Sequence, residues 1–295
     1  MKLVDQIVDL IRETSSSLPE DVLRALKRAV RKEEKGSSAA VVLNTILDNC
    51  RLAKKTGLPL CQDTGTLTFF VDERLRKRVT PEVIRRAVAK ATELGCLRKN
   101  CIDSVTGASY DDNCAEGAPV IHYEIADRGS GKSSGSRNSS DSKPTVTLLL
   151  KGGGSENMSR QYSLPDATLG AGRDLAGVRK CVLDAVQKIQ GYACAPGILG
   201  VCIGGDRATG YEVAKEQLLR PLGGDATFLS REIRSLESTL LREANTLGVG
   251  PMGLGGKTTL LGVKIASRPR VPASFFVTIA YMCWAARRRT MVVGC

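Results

Sequence analysis

The chain has 295 residues, 42% of them hydrophobic and 25% charged, and 43 Lys and Arg against 31 Asp and Glu give a formal net charge of +12. This is a globular composition with enough apolar residues for a sizeable core, although aromatics at 4% leave most of it to Val, Leu, Ile and Ala. No run of about 18 apolar residues occurs, so no membrane span is expected; Pro272 to Ala286 comes nearest and contains Ser274 and Thr278. The basic residues are spread along predicted helices without alternating aromatics, which reads as a solvated basic face and an anion-attracting site, not a nucleic-acid platform.

Ten cysteines are present, in a chain long enough to fold without disulfides. The start, Met-Lys-Leu-Val-Asp-Gln, lacks a signal or transit pattern. The expectation is a reducing, cytoplasmic setting with free thiols or metal ligands. There is no C-x-x-C pair, which argues against a zinc ribbon or a thioredoxin-like site.

Residues 2–14 carry Leu3, Val4, Ile7, Val8, Leu10 and Ile11 at helical spacing. A second, basic helix is predicted over 21–35. A third runs from about 37 to 55, with Val41, Val42, Ile46, Leu47 and Cys50 inward, and is stopped by Gly57. The next stretch, Leu58-Pro-Leu-Cys61-Gln62-Asp63-Thr-Gly-Thr66, holds a thiol, an amide, a carboxylate and a hydroxyl between Pro59 and Gly65. It reads as a rigid loop leading into a buried strand over 67–71. Polar groups on a loop anchored by a strand are a common site geometry, although a plain turn with an inert cysteine has the same local look.

Thr80, Pro81 and Glu82 form a helix start as N-cap, first position and dipole partner, and that helix runs to Gly95. A polar loop is expected over 103–117, then an alternating strand over 119–125. That strand carries the single histidine, His122, on a face shared with Glu124. His122 reads as structural, and a single histidine on that face argues against mechanisms needing a histidine dyad, a triad or a His-rich zinc site within the chain. Residues 128–143 are low-complexity and read as a disordered Ser/Gly-rich insertion within a single domain spanning 1–295.

A strand over 145–150 runs into Lys151-Gly-Gly-Gly154-Ser-Glu-Asn157, where consecutive glycines let backbone N–H groups approach an anion. An amphipathic helix is predicted over 172–190, with Leu175, Val178, Val182, Val186 and Ile189 inward and Cys181 as packing. Cys194 then lies in a Pro/Gly turn before a strand over 198–203. Helices follow over about 208–219 and 227–247. Gly250-Pro-Met-Gly-Leu-Gly-Gly-Lys-Thr258 looks like a phosphate loop but has Pro251 where the first glycine should stand, so nucleotide hydrolysis is not expected. Strands over 259–265 and 275–281 lead to Cys283 and a basic end, Arg287-Arg-Arg289.

Taken together, Cys61-Gln-Asp-Thr-Gly-Thr66, Lys151-Gly-Gly-Gly-Ser-Glu-Asn157, Cys194-Ala-Pro-Gly197, Gly250 to Thr258 and Pro272-Ala-Ser-Phe-Phe276 resemble the iron–sulfur hydro-lyases of the class I fumarase and tartrate dehydratase type. The resemblance runs almost end to end and is to the α subunit, equivalent to the N-terminal half of single-chain fumarases. It implies an α/β fold in which N-terminal helices precede mainly antiparallel strands interleaved with helices. It also implies a [4Fe–4S] cluster held by Cys61, Cys194 and Cys283, with one iron open to substrate. Asp63 is implied as catalytic, and Gln62, Arg98 and the Gly154 N–H as substrate-binding. The implied substrate is a fumarate- or malate-like dicarboxylate. The implied partner is a β subunit supplying the remaining catalytic residues, in a hetero-oligomer or through homodimer contacts.

Where the family has histidine before the Pro-Ala-Ser segment, this chain has Val271. A hydroxy-diacid such as tartrate is the alternative substrate. An inactive structural subunit and a basic nucleic-acid-binding protein are the alternatives of other classes.

Overall fold

A computed structural model describes residues 2–124, 143–223 and 229–294. In chain order the elements are α1 (Leu3–Ser16), α2 (Glu20–Lys32), α3 (Ser38–Thr56), β1 (Thr66–Asp72), α4 (Pro81–Glu93), β2 (Cys101–Ile102), β3 (Ser109–Tyr110), β4 (Val120–Glu124) and β5 (Thr145–Lys151). They continue with α5 (Gly153–Asn157), β6 (Arg160–Ser163), α6 (Leu175–Ile189), β7 (Gly197–Gly204), α7 (Arg207–Gln217), α8 (Arg231–Thr246), β8 (Leu260–Arg268), β9 (Phe276–Met282) and β10 (Arg287–Val292). Among the described pairings, β1 with β4 and β7 with β8 are parallel and the other five are antiparallel. The fold is α/β, with N-terminal helices and mainly antiparallel strands, as the sequence leads one to expect. The insertion expected over 128–143 lies, but for Lys143, outside the described residues.

The chain divides into two compact units. The first comprises Met1–Pro19, Asp48–Gly153 and Ala285–Cys295. Its sheet has the order β10-β5-β1-β4. One face is covered by α1 and α4, whose apolar stripes pack Ile7, Ile11, Ile84 and Val88 with Phe69, Val71, Leu148 and Leu150. The start of α4 is as read from the sequence: Thr80 Oγ1 accepts from the Val83 N–H at 3.3 Å and Pro81 takes the first turn.

The second unit comprises Glu20–Leu47 and Gly154–Trp284. Its sheet has the order β6-β9-β7-β8, with α6, α7 and α8 packed around it. Every residue of β7 is buried, consistent with a strand covered on both faces.

Several expectations change. The basic end is a strand: β10 pairs with β5, Arg287 lies opposite Leu150 and is only 1% exposed, and Arg288 is also buried. Val41 is exposed because the inward stripe of α3 runs through Ala39, Leu43, Ile46, Cys50 and Ala53, at alternating spacings of four and three. The helix expected from 172 begins at Leu175, because Asp174 caps it by accepting from the Gly177 N–H at 2.7 Å. That puts Leu175 in the first turn, exposed, not inward. The polar loop over 103–117 includes the short hairpin pair β2–β3, and the glycine turn after β5 winds into α5. Cys181 is fully buried packing, as read from the sequence.

Candidate functional site

In the first unit the Cys61 loop is built by contacts distant in sequence. Leu60 N–H donates to Ser15 O at 2.8 Å, and Asn49 Nδ2 donates to Leu60 O at 3.0 Å, fixing the entry. Past the cysteine, Asp63 Oδ2 accepts from the Gly153 N–H at 2.8 Å, so the carboxylate sits on the glycine turn after β5. Gly65, at φ +76°, lies so close to the Lys151 carbonyl that any Cβ would collide with it. This is a position where both the backbone angle and the space require glycine. Arg287, arriving on β10, donates from Nη2 to Asp63 O at 2.7 Å. Lys151 is equally buried at the end of β5.

Arg98 is brought to this loop through its backbone. Its N–H donates to Thr64 Oγ1 at 2.8 Å, and Thr64 Oγ1 donates back to Arg98 O at 3.1 Å. Asn113 locks the other side. It is 2% exposed, has φ +59°, donates to Arg98 O and Thr92 Oγ1 at 3.0 Å each, and accepts from the N–H groups of Asn100 and Cys101. The Arg98 side chain and Gln62 are exposed, and Asp63 is half-buried. Asp63, Gly65, Asn100, Cys101, Asn113 and Gly153 help line a cavity of about 300 Å³. His122 stacks on Phe70, ring centroids 5.2 Å apart, on the neighbouring strand β4.

In the second unit two cysteines lie at facing strand ends. Ile198 of β7 pairs with Met282 of β9, so Cys194 precedes the start of one strand and Cys283 follows the end of its antiparallel neighbour. Trp284 N–H donates to Cys194 O at 3.3 Å, and Cys283 N–H donates to Ser155 Oγ at 3.1 Å. Ser155 belongs to the glycine motif, and Met252 of the Gly250 loop donates its N–H to Ala195 O at 2.8 Å. Cys194 is exposed and sits at φ +52°, a left-handed conformation uncommon for a side-chain-bearing residue and frequent at functional sites. Gly154 is exposed in α5. Val271 is 64% exposed, on a segment whose carbonyls accept from Arg270 and Arg173.

Among the described residues no group of three or more His, Cys, Asp and Glu side chains is gathered as metal ligands would be, and Cys61 belongs to the first unit while Cys194 and Cys283 belong to the second. None of the nine described cysteines is in a disulfide. Thiolates suit iron–sulfur clusters. Beside the second unit's pair, Tyr281 is 1% exposed and its hydroxyl has no hydrogen-bond partner. An orphaned buried donor next to two thiols fits a group that is not part of the chain.

The family model described as Fumarate hydratase (Fumerase) matches residues 4–292. The chain belongs to the fumarate hydratase family. It is 46% identical over 292 residues to a putative fumarate hydratase class I of Geobacillus stearothermophilus, covering 97% of this chain and 54% of that one. It is 35% identical over 295 residues to a putative L(+)-tartrate dehydratase subunit alpha of Methanocaldococcus jannaschii, covering 98% and 96%. It is 28% identical to the L(+)-tartrate dehydratase subunit alpha of Escherichia coli strain K12, covering 99% and 91%. The chain thus spans about half of the fumarate hydratase and nearly all of the alpha subunits. Both names denote hydro-lyases. Among the described residues no helix is long and apolar enough to cross a membrane.

Sequence reading missed Arg287, Lys151 and Asn113 around the Cys61 loop of the first unit, and Tyr281 near Cys283 in the second. Arg287 had one usable signal, the strand-forming Met291-Val-Val after the arginines. Asn113 had none, because its role comes from a long-range hydrogen-bond hub.

Proposed function

We propose that this chain is the α subunit of a [4Fe–4S]-dependent fumarate hydratase that interconverts fumarate and L-malate, with Cys61, Cys194 and Cys283 holding the cluster. The observation that carries this reading is the seating of the Cys61-Gln-Asp loop on the glycine turn through Asp63 and the Gly153 N–H. Two family motifs about 90 residues apart in sequence thereby share one neighbourhood, and Arg98 joins them through Thr64.

Hydration adds a hydroxyl to one carbon and a proton to the other carbon of the fumarate double bond. When bound, the cluster would supply Lewis-acid polarisation of substrate oxygens at its open iron. The chain's own residues bind and orient. The Arg98 guanidinium offers paired donors to one substrate carboxylate, with Gln62 and the Gly154 N–H as further donors. Asp63, already oriented by Gly153, presents a carboxylate oxygen to a substrate hydroxyl or water. A β subunit supplies the base and the remaining carboxylate contacts. The setting is cytoplasmic, and both compact units serve one cluster-binding α domain.

Two observations favour keeping L-tartrate or a related hydroxy-diacid as a second reading. The chain matches tartrate dehydratase alpha subunits nearly end to end, and Val271 replaces a hydrogen-bonding histidine with an apolar side chain.

The test is an anaerobic iron and sulfide assay with a visible spectrum on the reconstituted chain and on a Cys61→Ala/Cys194→Ala/Cys283→Ala variant, followed by fumarate and tartrate turnover with a β subunit. About four irons per chain and a broad absorbance, both lost in the variant, support the reading. A wild-type chain that binds no iron sinks it. A loaded chain that is inactive on either diacid with a β subunit leaves a structural subunit.

A further inference from the structure

The second unit's thiol pair lies among backbone donors that are already committed. Cys194 N–H donates to Gly191 O at 3.2 Å, Cys283 N–H to Ser155 Oγ, Trp284 N–H to Cys194 O and Gly197 N–H to Thr259 O at 3.0 Å. The Tyr281 hydroxyl is different. It is buried, it has no hydrogen-bond partner, and it belongs to a residue only two before Cys283 on β9. Its position is enforced: the phenol tip packs so tightly on Gly197 that any Cβ there would collide with the ring and the oxygen. In the antiparallel register of β7 with β9, Ile198 lies opposite Met282, so Gly197, on which the phenol tip packs, stands across from Cys283 and the donor lies at the thiol end of the two strands. A buried hydroxyl with no acceptor is destabilising, a penalty removed when an acceptor arrives.

We propose that Tyr281 is a positioning residue for the bound cluster, donating its O–H to a sulfur atom at the Cys194–Cys283 end. This rests on the cluster reading above. Hydrogen bonds to cluster or ligand sulfur withdraw electron density, raise the reduction potential and hold ligand orientation. Gly197 then has a functional reason, since only glycine admits the phenol at that spot.

The experiment compares the anaerobically reconstituted full chain with Tyr281→Phe, which keeps the ring and removes only the donor. Iron and sulfide content and a thermal melt are measured first, then the reduction potential, the Fe–S stretching frequencies in H2O and D2O, and the cluster's half-life in air. The expected result is equal iron content, a more negative potential, stiffer Fe–S stretches that lose their D2O sensitivity, and a half-life several-fold shorter. Equal loading with unchanged potential and frequencies overturns the inference while leaving the cluster reading intact. A wild-type chain that loads no iron overturns both. Should Tyr281→Phe not fold, the wild-type spectrum decides: an absent D2O shift overturns the hydrogen bond and a present one supports it.

Discussion

The two compact units hold their cysteine-bearing segments with different materials. In the first, the Cys61–Gly65 loop is held largely by side chains: Arg287 on a carbonyl, Thr64 and Asn113 on the Arg98 backbone, Asp63 on a glycine N–H. In the second, Cys194 and Cys283 are held by backbone-to-backbone bonds, close glycine contacts and the Ser155 hydroxyl, at the ends of the apolar strands β7 and β9. The difference follows from the local chain: the Cys61 loop lies outside any sheet and is held by side chains, whereas Cys194 and Cys283 flank the paired strands β7 and β9, whose backbone bonds already fix the neighbouring residues.

Gly65→Ala attacks the first half most directly. A Cβ would meet the Lys151 carbonyl at a left-handed φ, so we expect a loss of about 3 kcal/mol in chemical unfolding, with little folded protein at elevated temperature. Arg287→Met should cost about 2 kcal/mol by removing a charged donor from the Asp63 carbonyl. Hydrogen exchange should then speed up at Thr64 and Arg98 and stay unchanged around Cys194; equal change at both places would remove the distinction drawn here. Asn113→Ala should cost somewhat less, about 1–2 kcal/mol, and should loosen the Arg98 segment first.

The smallest perturbation is chemical. Burial pushes the Cys50, Cys181 and Cys202 thiols up to about 11, whereas Cys194 is exposed. At pH 8 those buried thiols are roughly one part in a thousand thiolate, a fraction rising tenfold per pH unit until about 11. Alkylation of the cluster-free chain near pH 8 should therefore mark Cys194 well before these three, and mass spectrometry after a short pulse reads the order. Labelling of Cys181 as fast as Cys194 would mean the second unit is open in solution.

The longer helices and the apolar strands, the Thr80–Pro81 start and the motif segments were legible in the sequence because they depend on local periodicity and capping, whereas the short strands β2, β3 and β6 carry no such pattern. Val41 was misplaced because a helix pattern does not say which of two adjacent apolar stripes is buried, and Leu175 because the cap at Asp174 puts it in the first turn. The arginine run was read only as a basic end, not as a strand. Its burial depends on pairing with β5, some 140 residues earlier in the chain.

By itself, then, the sequence determined the family, the longer helices and apolar strands and the residue types of the motifs, since motifs and periodicity are written in consecutive residues. Only the tertiary structure decided that Asp63 rests on Gly153, that Asn113 and Arg287 hold its loop, and that Tyr281 has an unanswered donor beside Cys194 and Cys283. Those are matters of burial and hydrogen-bond satisfaction, which exist only once distant segments have met and water has been excluded.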